Sequence, residues 1–165
     1  TKAHEEEDIS LFSEVKESHI EVQDALVGAQ KFKIFCGSWN MGAKDPWDAL
    51  SDSAKENIDV TKFIPRGYDI YAIGVQEGVN DNVFDKIGEA LPDLVRLRVP
   101  KDSNKVYGRG DGSFTHPKFT GIVIFVSREV LGSVKLLRSG ALPFGAAEGS
   151  KGVVGAVVGV GRVTI

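Results

Sequence analysis

The sequence predicts an α/β protein that begins with a βαβ unit. Two nearly continuous apolar runs, residues 32–36 and 68–75, have the length and composition of buried strands. Between them, apolar residues recur at intervals of three and four over residues 47–58. This predicted helix begins at Asp45-Pro46, where aspartate suits the N-cap and proline the first helical position, and it ends before the turn signal Pro65-Arg66-Gly67. Strand, helix and strand in this order favour two parallel neighbours joined by a right-handed crossover.

The rest of the chain predicts further strands and one more helix. A second amphipathic helix is predicted over residues 82–91, because Val83, Ile87 and Leu91 share a face and Pro92 follows. The predicted strands are 94–99, 121–127 and 133–137, and 153–165 forms one long strand or a hairpin. The predicted loops are 37–42, 101–118 and 139–151, which are polar or rich in glycine.

The charge of the 165-residue, 17.8 kDa chain is unevenly distributed. Residues 1–30 hold two lysines and eight acids, whereas residues 31–165 hold 18 basic and 15 acidic residues. We therefore divide the chain into an acidic leader, 1–30, and a mildly basic body, 31–165. The spacing of Ile9, Phe12 and Val15 favours a helix in the leader, while Ile20 and Val22 favour alternation. The small basic excess of the body does not argue for nucleic acid.

Composition excludes several other classes of protein. A single cysteine, Cys36, excludes an intrachain disulfide and a zinc site built from thiolates, and it suggests a reducing compartment. No apolar run approaches the ~20 residues of a membrane helix, and the N-terminus has no signal-peptide core. We therefore expect a cytoplasmic protein. Cys36 lies in a predicted apolar strand, so we expect a buried, inert thiol.

Two predicted strands end in polar residues suited to metal binding. One ends in Trp39-Asn40 and the other in Gln76-Glu77. Ligands of open α/β sheets bind beyond the carboxyl ends of the strands, and parallel neighbours would bring Asn40 and Glu77 together. A carboxylate beside an amide oxygen suits Mg²⁺. The alternative is that Glu77 is an exposed turn carboxylate and Asn40 a turn former bonded to its own backbone.

A third candidate is Lys151, which lies in the stretch Gly149-Ser150-Lys151-Gly152. Flanking glycines let backbone N–H groups approach a phosphate that the lysine would bind. The spacing is not that of a Walker A loop. A solvated loop lysine remains the alternative.

Three motifs together resemble the inositol polyphosphate 5-phosphatases. They are FCGSWNMG at 35–42, DIYAIGVQE at 69–77 and GSKGV at 149–153. Their order and separation also match, from about Lys31 to the end of the chain. The resemblance implies a partial DNase-I-like two-sheet sandwich with flanking helices, in which residues 31–165 are the N-terminal part of the catalytic domain. The second motif is shared with the wider endonuclease, exonuclease and phosphatase superfamily.

The resemblance also implies roles for individual residues. Glu77 matches the magnesium-binding glutamate, and Asn40 matches the asparagine that helps to hold the metal and the scissile phosphate. Lys151, with Ser150 before it, matches the contact to a ring phosphate that is not removed. Lys118 falls where the family often has a basic residue near the substrate. The implied cofactor is Mg²⁺, and the implied partners are inositol phosphates or phosphoinositide lipids at a membrane surface.

The chain departs from the family pattern in two ways. It reads Ser150-Lys151-Gly152-Val153 where the family has Asn-Lys-Gly-Gly, which leaves open which ring phosphates it selects. The family's later histidine, Gly-Asp-x-Asn and Ser-Asp-His motifs are not in the sequence, so we expect this chain alone to be inactive. Two other functions remain open: a non-catalytic phosphoinositide-binding or scaffold module, and a metal-dependent nuclease of the same superfamily.

Overall fold

The computed structural model describes residues 31–47, 59–100, 103–108, 118–144, 152–161 and 163–165. Within these residues the protein is mixed α/β, with strands predominating and one α-helix. The acidic leader and residues 48–58 of the predicted first helix lie outside the described residues. The part of that prediction just before Pro65 is wrong, because Asp59 caps a short 3₁₀ turn at Val60–Lys62 and no α-helix forms there. At the start of that predicted helix, the Asp45 carboxylate accepts a hydrogen bond from the backbone N–H of Trp47, as an N-cap does.

The elements of the described residues follow one another in a simple order. The strands are β1 Ile34–Asn40, β2 Ile70–Gly78, β3 Leu94–Arg96, β4 Lys105–Gly108, β5 Lys118–Ser127, β6 Val134–Pro143, β7 Gly152–Val160 and β8 Val163–Thr164. The α-helix, α1, spans Asn82–Ala90, close to its predicted bounds. Short 3₁₀ turns lie at Val60–Lys62 and Leu131–Ser133. No helix among the described residues is long and apolar enough to cross a membrane.

The larger sheet has β2 and β5 at its centre. Its order is β1-β2-β5, and β3 and β4 both pair with the far edge of β5. Strands β1 and β2 are parallel, with Ile34 opposite Ile70 and Asn40 opposite Gln76, which confirms the predicted parallel pair. Every other pair in this sheet is antiparallel. A smaller sheet contains β6, β7 and β8.

The larger sheet is covered on both faces. On one face, α1 buries Val83, Phe84 and Ile87 against alternate residues of β2, including Tyr71 and Ile73. The opposite face packs on the smaller sheet, and this second core contains Ile70, Ile124, Val126, Val130, Val134, Val158 and Val160. Successive side chains of a strand point to opposite faces, so the same strands contribute residues to both cores. The result is helix, sheet and sheet in three layers.

Cys36 is exposed, so the prediction of a buried thiol is wrong. Strand β1 lies at the edge of its sheet and alternates in burial rather than being apolar on both faces. Phe35 and Trp39 pack on the helix-side core, whereas Cys36 and Ser38 point to the other face and remain exposed. The strand also runs on to Asn40, into the predicted loop, because pairing with β2 continues there.

Strand pairing also changes other predicted boundaries. Strand β4 forms inside the predicted loop 101–118, where pairing with β5 supplies hydrogen bonds that local sequence does not reveal. Strand β6 continues to Pro143 through its pairing with β7, and β3 ends at Arg96. The C-terminal stretch forms a hairpin, in which Gly161 has φ +59°. The outward face of β6 and β7 leaves Leu137, Leu142 and Val153 exposed.

The packing between the sheets predicts the cost of truncating Ile124, whose side chain is 2% exposed. We expect Ile124→Ala to lower the free energy of unfolding by about 3 kcal/mol through lost burial and a cavity. Leu137→Ala removes a side chain that is 52% exposed and serves as the matched control, with a loss of about 0.5 kcal/mol or less. Urea unfolding followed by fluorescence measures both. Equal losses in the two variants would contradict the packing described.

Candidate functional site

The candidate site lies where β1 and β2 end. Asn40 is the last residue of β1 and stands opposite Gln76, so Glu77 is the next residue along β2. The Asn40 Nδ2 atom lies 3.5 Å from Glu77 Oε1, at the long limit of a hydrogen bond. The parallel register therefore brings together the two side chains that the sequence singled out.

Asn40 also forms a local turn. Its Oδ1 atom accepts a hydrogen bond of 2.8 Å from the backbone N–H of Gly42. The turn-forming role considered for Asn40 is therefore present together with the contact to Glu77. This turn fixes the rotamer of the amide, so that its NH₂ group faces the carboxylate. The amide oxygen retains a second lone pair for another ligand.

The backbone is strained near the end of β2 and in the segment that follows β1. Glu77 has φ +52° and Ala43 has φ +57°, and they are the non-glycine residues with positive φ in the described part of the chain. The backbone N–H of Ala43 donates to the Glu77 carbonyl at 3.1 Å. Such a conformation costs about 1–2 kcal/mol for a residue with a Cβ. The strained residues are therefore bonded directly to each other, at the point where the candidate side chains meet.

Gly78 allows the turn of the chain at Glu77. The pairing of β2 with β5 shifts register between Val75 and Gly78, and Gly78 then stands opposite Phe119. A Cβ on Gly78 would lie 2.5 Å from the Phe119 ring, which is itself buried. Only glycine fits against this ring. The bulge rotates Glu77 out of the regular alternation of β2 and towards the start of β5.

Lys118, the first residue of β5, contacts the other oxygen of Glu77. Its Nζ lies 3.4 Å from Glu77 Oε2, and the exposed fractions of the two side chains are 20% for Lys118 and 45% for Glu77. The carboxylate thus lies between an amide donor and an ammonium group. Both contacts are long, and a carboxylate offers about four lone-pair positions. Glu77 therefore retains capacity for a further ligand on its solvent side.

A buried carboxylate links the segments that follow β1 and β2. Asp45 is 6% exposed, and its Oδ2 accepts a 2.6 Å hydrogen bond from Asn80 Nδ2. Asn80 in turn accepts from the backbone N–H of Asn82 at the start of α1. Sequence reasoning gave Asp45 only a helix-capping role and overlooked Asn80. The polar run Asn80-Asp81-Asn82 before a helix was the available signal, but it does not reveal a partner 35 residues away.

The donor set of the site fits Mg²⁺. The ion takes one or two carboxylates with other oxygen ligands and keeps several waters. Glu77 supplies a carboxylate for it, whereas the Asn40 oxygen is turned to the Gly42 N–H and the Asn40 NH₂ group faces Glu77. Among the described residues there is no group of three or more His, Cys, Asp or Glu side chains that could hold a metal. The two candidate substrate residues Ser150 and Lys151 lie outside the described residues.

The strain at Glu77 predicts a variant with higher stability and a weaker site. We expect Glu77→Gly to raise the free energy of unfolding by about 1 kcal/mol or less, because relief of the positive φ exceeds the entropic cost of glycine. Glu77→Gln keeps the strain and serves as the control, with little change. Chemical denaturation measures both variants. A loss of stability in Glu77→Gly would show that the carboxylate contacts outweigh the strain.

The link between Asp45 and Asn80 predicts a second effect on stability. Asn80→Ala leaves a buried carboxylate oxygen without its partner, which we expect to cost about 1–3 kcal/mol. Asn104→Ala changes the same side chain on another segment and is the control, expected to cost less. Thermal unfolding compares the two. If Asn80→Ala does not lower the stability, the hydrogen bond between Asn80 and Asp45 does not stabilise the segments around the site.

Comparison with known proteins adds no family assignment. No protein-family model matches the chain, and no curated protein matches it at a significant level. The similarity to the inositol polyphosphate 5-phosphatases therefore depends on the motifs at 35–42, 69–77 and 149–153.

Proposed function

We propose that the chain is part of a Mg²⁺-dependent phosphatase that removes the 5-phosphate of inositol polyphosphates or phosphoinositides. The observation that carries the proposal is the meeting of Asn40, Glu77 and Lys118, with Glu77 in a strained backbone conformation. The site combines a carboxylate, which suits a hard cation, with an ammonium group, which suits an anion. A phosphomonoester bound together with Mg²⁺ presents a cation and an anion side by side.

Each residue has a distinct role in this proposal. Glu77 would hold the ion, and the Asn40 NH₂ group orients the Glu77 carboxylate through Oε1. Bound Mg²⁺ would supply Lewis-acid polarisation of the phosphoryl oxygens. Lys118 balances the charge of Glu77 before substrate binds, and its ammonium then pairs with a phosphate oxygen. Lys151 and Ser150 would contact a second ring phosphate.

The layered fold supports the same proposal. A larger sheet carries the candidate site, a helix covers one of its faces and a smaller sheet packs on the other. This arrangement is compatible with a partial DNase-I-like sandwich. Under the proposal the protein acts in the cytoplasm, on soluble inositol phosphates or at the surface of a membrane.

A phosphoinositide-binding module without turnover is the second candidate. The observation that favours it is Lys118, whose ammonium can pair with phosphate in the absence of a metal. Such a module would bind phosphorylated inositol equally well with and without Mg²⁺. A phosphatase would need the ion for turnover.

Metal binding tests the role of Glu77 directly. Calorimetric titration of the chain with Mg²⁺ should detect binding that falls by about tenfold or more in Glu77→Gln, since a carboxylate ligand is lost. Glu129→Gln removes an exposed carboxylate from outside the site and is the matched control. Equal binding by both variants would refute the metal site.

Turnover tests the proposed reaction. The native protein that contains this sequence should release phosphate from a 5-phosphorylated inositol lipid in Mg²⁺, and Glu77→Gln should reduce the rate by about 100-fold or more. Glu129→Gln should keep the rate. Lipid binding without phosphate release would favour the binding module instead. Cleavage of plasmid DNA by the native protein would favour the nuclease.

A further inference from the structure

A cavity lies at the edge of β5 that faces away from β2. Strand β3 pairs with β5 residues 125–127 and β4 pairs with residues 118–121. Between these pairings, the Leu97 N–H donates to the Ile124 carbonyl and the Ile122 N–H donates to the Asn104 carbonyl. A cavity of about 920 Å³ opens there. This volume is within the range of small-molecule sites, roughly 300–1,000 Å³. The cavity runs from Ile122, which lies four residues along β5 from Lys118 and roughly 14 Å away at the rise of an antiparallel strand, to Tyr107, which pairs with Phe119.

The lining of this cavity carries an excess of positive charge. Arg96, Arg98 and Lys105 line it together with one carboxylate, Asp81. Lys105 is ion-paired with Asp81, and its side chain is 5% exposed. Within the described residues, Arg98 makes no hydrogen bond or ion pair. One guanidinium at the cavity therefore has no compensating acid among the described residues.

Arg96 is held in place before any ligand binds. Its Nη1 lies 3.2 Å from Asp85 Oδ1, and its guanidinium lies over the Phe84 ring at 5.3 Å from the ring centre. A guanidinium fixed on an aromatic face loses less side-chain freedom when it binds an anion. Arg96 and Arg98 are alternate residues, so they lie on the same side of the extended segment.

The remaining walls suit the uncharged part of a ligand. Apolar residues also line the cavity, among which Leu97 packs on the core between the sheets and Val123 is 1% exposed. The others are Val99 and Ile122. Tyr107 also lines it, with a ring that is 58% exposed. An aromatic ring with this exposure can stack on a planar group. The cavity thus combines cationic and apolar surfaces.

We propose that this edge cavity binds an organic phosphate of about the size of a mononucleotide, with the phosphate at Arg96 and Arg98 and a planar group near Tyr107. It is a binding site separate from Asn40 and Glu77, and it involves no bond-making step. The proposal depends neither on the phosphatase activity nor on a metal.

The test uses adenosine monophosphate as the probe, in the presence of EDTA so that no divalent ion contributes. Calorimetric titration of the chain should detect binding, and Arg98→Gln should weaken it roughly tenfold through loss of a charge-assisted hydrogen bond. Arg128→Gln removes an exposed arginine that does not line the cavity and is the matched control. Glu77→Gln should bind the probe as the parent chain does. Both arginine changes are at exposed positions, and thermal unfolding verifies that the variants fold.

The outcomes separate the sources of binding. Binding that weakens in Arg98→Gln but not in Arg128→Gln supports the site, and weaker binding in Tyr107→Ala supports the place of the planar group. Inorganic phosphate and adenosine are titrated separately as the two parts of the probe. Adenosine binding as tightly as the monophosphate would overturn the proposal, as would absence of binding or equal weakening by the two arginine variants. Loss of binding in Glu77→Gln would also overturn it, by assigning the probe to the strand-end site.

Discussion

The parallel register between β1 and β2 is the constraint on which the candidate site depends. It places Asn40 opposite Gln76, so that the next residue of β2 is Glu77. A slip of one residue would turn Asn40 to the helix-side core and place Trp39 on the polar face, because side chains alternate along a strand. Phe35 and Trp39 pack in the helix-side core, and this aromatic packing opposes such a slip. The burial of one face of β1 therefore determines the polar chemistry of the other.

The site also depends on backbone strain that the surrounding packing offsets. Glu77 and Ala43 adopt positive φ at a cost of about 1–2 kcal/mol each. Gly78 makes room for Phe119, and the hydrogen bond between Asn80 and Asp45 holds together the segments after the two strands. The buried core beneath these segments stabilises the arrangement far more than the strain destabilises it. The carboxylate is thus presented at a fixed position rather than on a free turn.

The sequence predicted those helices and strands whose pattern of apolar residues matches their burial in the structure. The apolar runs at β2 and β5, the helix ending before Pro92 and the parallel β1–β2 pair were all recoverable, because periodicity or connection length reports them directly. Strand β4 and the exposure of Cys36 could not be predicted from the sequence. The first depends on pairing with β5, and the second depends on the position of β1 at the edge of its sheet. The meeting of Asn40 and Glu77 followed from the fold rule for strand ends. The positive φ of Glu77 and the Asp45–Asn80 contact arise from tertiary packing that a single sequence does not encode locally.

The contact between Lys118 and Glu77 has a consequence for how the proposed site would respond to its ligands. In the described structure the Glu77 carboxylate is shared between the Asn40 amide and the Lys118 ammonium. A cation bound at Glu77 would compete with Lys118 for the same oxygen and so loosen the ion pair. The lysine would then be better able to bind an anion placed beside the cation. Linkage makes this coupling reciprocal, so that an anion held by Lys118 would raise the affinity of Glu77 for the cation. The Glu77 carboxylate is poorly suited to hold a metal ion alone. Metal bound at Glu77 and phosphate bound at Lys118 would therefore each strengthen the binding of the other.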